Sequence, residues 1–90
     1  MAGPGARFPV GQLIRSARHD HELTQQQLAT ALRAASGNDS VGRDEVARWE
    51  RGRRIPSAYW QRWLSLVLDI SRPELHAAAQ RSRALRRLWR

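Results

Sequence analysis

Apolar residues recur three and four positions apart along this chain, and no segment shows the strict alternation of a β-strand. Near the N-terminus they mark one face of a first helix: Val10, Leu13, Ile14 and Ala17. A fourth helix is predicted from about Ser57 to Leu68, where Trp60 and Trp63 fall at core spacing. Such three-to-four spacing predicts helices that bury one face. The chain as a whole is predicted to be all-α, with five helices.

Two short motifs mark where the second and fifth helices begin. Thr24 is followed three residues later by Gln27, and Ser71 is followed at the same distance by Glu74. Each pair forms a capping box, in which the two side chains satisfy backbone N–H groups at the helix start. A cap of this kind contributes about 1 kcal/mol. Helix 5 is predicted to continue from residue 71 to the chain end.

The third helix is short, and its two sides differ in chemistry. It is predicted from about Arg43 to Arg51, with Val46 and Trp49 on an apolar side and arginines on the other. Gly52 stands where helices commonly end in a left-handed residue. An inward apolar side and an outward basic side are typical of a helix that meets a polyanion.

Composition points to the same kind of partner. The 90 residues include sixteen arginines, no lysine and eight acids, for a net charge of +8. This balance suits nucleic acid or an anionic membrane surface. The absence of cysteine excludes disulfides and thiolate metal sites. With no secretion signal and no apolar run near the ~20 residues that cross a bilayer, a cytoplasmic protein is predicted.

The order of these motifs along the chain resembles that in the helix-turn-helix domain of the lambda repressor and Cro type, the Xre-like family. The resemblance is carried by Leu23-Thr24-Gln25, then Leu28-Ala29, then Trp49-Glu50-Arg51-Gly52-Arg53-Arg54-Ile55-Pro56. It covers residues 9–70, between a flexible N-terminus (1–8) and a basic C-terminal helix (71–90). It implies a sequence-specific DNA-binding transcriptional regulator, a repressor rather than an activator, that is nucleoid-associated.

Family members bind double-stranded DNA as homodimers, on half-sites about 34 Å apart. The resemblance also assigns roles to single residues. Gln25 would contact phosphate and support helix 3. Base edges would be read by Arg43, Asp44, Ala47 and Arg48. Phosphates beside the groove would be bound by Arg51, Arg53 and Arg54. Arginine suits these roles because it pairs bidentately with guanine and phosphate. Asp44 and Glu45 have a second interpretation, as acids that complement the dipole at the start of helix 3.

The family often pairs the Glu that ends helix 3 with an Arg of helix 1. The matching residues are Arg18 and Glu50, for which a partly buried ion pair is expected. The alternative is a solvated charge on each side chain, since most surface ion pairs contribute little.

One departure from the family lies between helices 2 and 3. From Leu28 to Val41 the chain carries about seven extra residues by our alignment. Residues 33–42 are predicted to be a loop because they include Gly37 and other turn formers. There are two alternatives to this loop. Helix 2 can extend to Ala35, or the geometry of helices 2 and 3 can differ from that of the family.

Helix 5 leaves three uses open. It can pack on the domain, pair with a second copy, or lie on DNA or a membrane surface. Packing combined with dimer contact is favoured, and the terminal arginines would then contact flanking phosphates. The residues assigned to dimer or flanking contact are Leu75, Leu85, Arg86, Arg87, Trp89 and Arg90.

Two other functions compete with gene regulation. One is an adaptor or antitoxin that holds a protein partner through the acids Asp44 and Glu45, the 33–42 loop and helix 5. The other is a protein that coats DNA without sequence preference. His19, Asp20 and His21 make only a weak metal cluster. The chain shows no nucleophile motif or phosphate loop, so no enzyme and no cofactor are expected.

Overall fold

The computed structural model describes residues 8–88, and every regular element within them is a helix. The five helices are α1 (Val10–Asp20), α2 (Gln25–Ser36), α3 (Arg43–Glu50), α4 (Ala58–Leu68) and α5 (Arg72–Leu88). The predicted all-α class and helix count are confirmed for this part of the chain. Of the N-terminus predicted to be flexible (1–8), residues 1–7 lie outside it, as do Trp89 and Arg90.

The helix starts follow the predicted caps. Thr24 Oγ1 accepts a hydrogen bond from the Gln27 N–H at 3.0 Å, and Gln27 Oε1 accepts one from the Thr24 N–H at 2.8 Å. Ser71 Oγ accepts from the Glu74 N–H at 3.2 Å. These bonds satisfy backbone donors that a helix leaves open in its first turn. The sequence signal for these starts is therefore local.

The loop predicted over residues 33–42 is shorter than expected. Residues 33–36 belong to α2, which ends at Gly37 with φ +69°, so the connection to α3 covers residues 37–42. Ala34 and Ala35 extend the helix because alanine has the highest helix propensity. Val41 is fully buried and fixes the end of the connection against the core. Four of the ten residues predicted to form the loop are thus helical.

The core lies between all five helices. α3 packs on α1 and α2, α4 packs on α2 and α5, and α5 packs on α1. Trp49 of α3 is 1% exposed, and its ring centroid lies 6.3 Å from that of Trp60. Trp60 and Trp63 pack against the core from its edge, as predicted. The buried hydrophobic residues are Val10, Ile14, Leu28, Ala29, Leu32, Val41, Val46, Trp49, Leu64, Leu68, Ile70, Leu75, Ala78 and Ala79.

α1 and α3 approach closely at Gly11, which the sequence analysis did not single out. A Cβ atom at this position would stand 2.2 Å from the Trp49 carbonyl oxygen. Glycine inside a helix costs about 1 kcal/mol relative to alanine, so it needs a packing reason. Here the reason is the contact between the two backbones.

The helices of residues 8–88 fall short of the length and apolar content that a bilayer crossing requires.

Candidate nucleic-acid interface

α3 presents one side to the core and one to solvent. Val46 and Trp49 are fully buried, whereas Arg43, Asp44 and Arg48 are exposed. Ala47 is half-buried between the two sides. The outward residues are those assigned to base reading, and the inward pair fixes their direction. This arrangement follows from apolar residues three apart on an eight-residue helix.

The end of α3 is held to α1 by the expected ion pair. Arg18 Nε donates to Glu50 Oε2 at 2.7 Å, and Arg18 Nη2 donates to Glu50 Oε1 at 2.9 Å. Arg18 Nη1 donates to the Leu23 carbonyl oxygen at 2.9 Å. The side chains are only 10% and 4% exposed, which excludes the solvated alternative. The hydrogen bond to Glu50 raises the pKa of Arg18 despite the opposing cost of burial.

Gln25 joins the same cluster. Its Nε2 donates to Glu50 Oε1 at 3.2 Å, so the first residue of α2 contacts the last residue of α3. This bond is consistent with the supporting role that the resemblance assigned to Gln25. Arg18, Gln25 and Glu50 together connect α1, α2 and α3 at the position where α3 ends.

Glu45 differs from the exposed acid that the adaptor hypothesis used. It is half-buried, and its carboxylate lies 3.4 Å from Arg48 Nη1 and 3.6 Å from Arg54 Nη1. The two arginine side chains remain 51% and 65% exposed, so each can still meet a ligand. Ion pairs this exposed contribute little to stability. Their effect is to orient Arg48 and Arg54.

A shallow depression forms where α2, the connection and α3 meet. It is lined by Gln26, Ser40, Gly42, Arg43, Asp44, Glu45 and Arg48. Gln26 and Ser40 were not among the predicted site residues. Gln26 was detectable as an exposed polar residue in the first turn of α2. Ser40 was not, because its place depends on how the connection folds.

The segment after α3 holds the phosphate-binding candidates. Gly52 takes φ +75°, a conformation in which residues with a Cβ atom are strained. The N–H groups of Arg53 and Arg54 donate to the Arg48 carbonyl oxygen at 2.9 and 3.3 Å. These bonds fix the backbone so that Arg51, Arg53 and Arg54 are all exposed beside α3.

α5 meets this segment through Arg86. Arg86 Nη2 donates to the Gly52 carbonyl oxygen at 3.0 Å and also to the Arg53 carbonyl oxygen. The contact brings α5 alongside the segment and forms an open groove, which we call the arginine groove. It is lined by Arg53, Arg54, Ile55, Arg83, Arg86 and Arg87.

The expectations for α5 need one correction. Leu75 was assigned to dimer or flanking contact, but it is completely buried in the core, where it packs as part of the domain. A residue with no accessible surface cannot contact a partner. Leu85 and Leu88 are 40% and 78% exposed and remain available. Trp89 and Arg90 lie outside the described residues.

His21, which follows the end of α1, has a structural contact. His21 Nε2 lies 2.8 Å from the Leu68 carbonyl oxygen, which links the exit of α1 to the end of α4. Residues 8–88 contain no group of three or more side chains arranged to hold a metal ion. His21 is accounted for by its contact with α4.

No family model, curated protein or solved structure matches this chain.

Proposed function

We propose that this chain is a sequence-specific DNA-binding transcriptional regulator with a lambda-repressor-like helix-turn-helix fold, in which α3 enters the major groove. The observation that carries the proposal is the division of α3: Val46 and Trp49 anchor it, while Arg43, Asp44 and Arg48 face solvent. A helix is about 10–12 Å across with its side chains, which matches a major groove about 12 Å wide.

Each side of α3 then has a chemical role. Arg43 and Arg48 take guanine O6 and N7 through their guanidinium forks, and Asp44 accepts from a cytosine amino group. Ala47 allows close approach to the bases. Gln25 and the arginines after α3 bind phosphates, which fix the protein's register on the duplex. Because Gln25 is half-buried and bonded to Glu50, its side chain can contact only a phosphate that lies close to the N-terminus of α2.

A protein of this size can regulate a gene by occlusion, because a protein bound at a promoter blocks access of RNA polymerase to it. We propose a repressor that binds as a homodimer to two half-sites one duplex turn apart. The exposed Leu85 and Leu88 on α5 support a dimer contact. The protein would act in the cytoplasm, on the nucleoid.

Two rival functions make different predictions. If the chain is an adaptor, the exposed acid Asp44 can still contact the protein partner. Glu45 is less available for that contact because it is paired with two arginines. A non-specific DNA-coating protein is supported by the net charge of +8 alone. The adaptor does not explain why exposed arginines cluster around the outer side of α3, whereas a coating protein would use them as phosphate contacts.

Selection of bound sequences from a random duplex pool tests the proposal. We expect a palindromic consensus after several rounds at about 150 mM salt, since a dimer reads two related half-sites. Retention of DNA without any enriched sequence would favour the coating protein. Failure to retain DNA even at low salt would favour the adaptor.

A further inference from the structure

The arginine groove combines five guanidinium groups in one open concavity of about 570 Å³. Three come from α5 (Arg83, Arg86 and Arg87) and two from the segment after α3 (Arg53 and Arg54). Among the residues that the structure describes, no carboxylate lines the groove. Like charges held this close repel one another, so an anion that neutralises them is bound favourably.

The five arginines are not equivalent. Arg86 bonds the carbonyl oxygens of Gly52 and Arg53, so it holds α5 against the segment. Arg54 forms an ion pair with Glu45, with 3.6 Å between the nitrogen and the carboxylate oxygen. Within residues 8–88, none of the other four has a carboxylate at such a distance. Arg53, Arg83 and Arg87 have side chains directed at the groove without such a partner. Arg86 therefore shapes the groove and also adds to its positive charge, whereas Glu45 offsets part of the charge of Arg54.

We propose that the arginine groove binds the DNA phosphate backbone that flanks the base pairs read by α3. This inference rests on the proposed function and extends it to a second contact region. The segment that forms one wall leaves the C-terminal end of α3 directly, so a strand crossing the groove would continue from the α3 contact.

The spacing of the arginines suits a phosphate strand. Arg83 and Arg87 lie one helical turn apart, about 6 Å along the axis of α5. Phosphates of one strand follow every ~3.4 Å along the duplex axis, so this distance covers about two of them. Each guanidinium can pair with a phosphate through two parallel hydrogen bonds. The footprint of the protein should therefore extend beyond the bases that it reads.

The test compares two duplexes, the shortest one that retains the selected consensus and the same sequence with ten added base pairs on each side. Wild type should bind the longer duplex more tightly. The double variant R83A/R87A should bind the short duplex as wild type does and lose the gain from the flanks. On the long duplex, the slope of log affinity against log salt should fall by about 2 for each protomer, and so by about 4 for the dimer, which corresponds to a roughly hundredfold smaller loss between 50 and 200 mM salt.

A matched control removes two charges elsewhere. The variant R62A/R72A carries the same net charge as R83A/R87A, and Arg72 lies at the opposite end of α5 from the groove. It should keep the gain from the flanks. Thermal melting of both variants checks that each is folded, because all four arginines lie outside the buried core.

The remaining outcomes overturn the inference in distinguishable ways. If wild type binds the short duplex and gains nothing from flanks, the groove has no DNA role while the proposed function stands. If wild type binds neither duplex, both fail. If inorganic tripolyphosphate binds wild type but not R83A/R87A, and flanks add nothing, the occupant is a small polyphosphate and not DNA.

Discussion

Arg18 and Glu50 form a two-bonded ion pair that joins α1 to the last residue of α3, with both side chains almost fully shielded from solvent. The two residues are 32 positions apart in sequence. Because Glu50 also accepts from Gln25, the pair fixes the end of α3 to two other helices at once. The orientation of the whole α3 surface depends on this cluster.

Removal of one partner should therefore cost much of the fold's stability. Glu50→Ala leaves the Arg18 charge buried and uncompensated, which typically costs about 3–5 kcal/mol. We expect a large drop in the melting temperature measured by circular dichroism. Asp39→Ala, at an exposed loop position, should change stability by less than about 0.5 kcal/mol. An unchanged melting temperature for Glu50→Ala would show that the pair contributes little.

The close approach of α1 and α3 can be tested at Gly11. A Cβ atom there would meet the Trp49 carbonyl oxygen at 2.2 Å, and this oxygen belongs to backbone that cannot rotate away. Gly11→Ala should destabilise the protein by about 1–3 kcal/mol, although alanine is otherwise favoured in helices. Gly42→Ala is the control for steric contact, since nothing lies within 4 Å of the added atom, and it should lose only the difference between glycine and alanine as the N-cap of α3. A Gly11→Ala protein as stable as wild type would contradict this packing.

The proposed division of labour on DNA predicts two different mutant behaviours. Arg43→Ala should relax sequence choice at one position, with a loss of about 1–3 kcal/mol against the preferred base. Arg53→Ala should weaken binding to all sequences alike and reduce the salt slope by about 1 for each bound protomer. Both are measured by titrating labelled duplexes that carry single base changes. Equal losses in the two variants on every sequence would refute the separate roles.

Salt should control the affinity strongly. A dimer that makes ~6–10 phosphate contacts loses about 10³–10⁵ in affinity between 50 and 200 mM salt, because bound counterions are released from DNA. Fluorescence anisotropy at four salt concentrations gives the slope. A slope near zero would mean that the arginines after α3 do not contact phosphates.

The dimer contact is best tested without shortening the chain. Deletion of α5 would remove the buried Leu75, Ala78 and Ala79 and so unfold the domain. The double variant L85D/L88D instead changes only exposed leucines of α5, and it should sediment as a monomer. Leu66→Asp, at an exposed leucine of α4, should leave the association state unchanged. If L85D/L88D sediments like wild type, the dimer does not use this face.

Part of the candidate site was predictable from neighbouring residues. The apolar pair Val46 and Trp49 sets which side of α3 faces inward, and Gly52 sets where the helix ends. The extension of α2 through residues 33–36 was harder to predict. There, alanines that favour helix stand next to residues that favour turns, so the local signals conflict. The Arg18–Glu50 pair was expected from the family resemblance alone, since nothing in the local sequence relates two residues so far apart.

The helices, their caps and the inward face of α3 follow from local sequence, because each depends on residues within about four positions of one another. Three contacts arise only when the helices pack together: the backbone contact at Gly11, the pairing of Glu45 with Arg54, and the hydrogen bond from Arg86 to the segment after α3. These contacts join different elements, and their geometry depends on how complete helices pack. The arginine groove belongs to this second class, since α5 reaches Gly52 from 34 positions away.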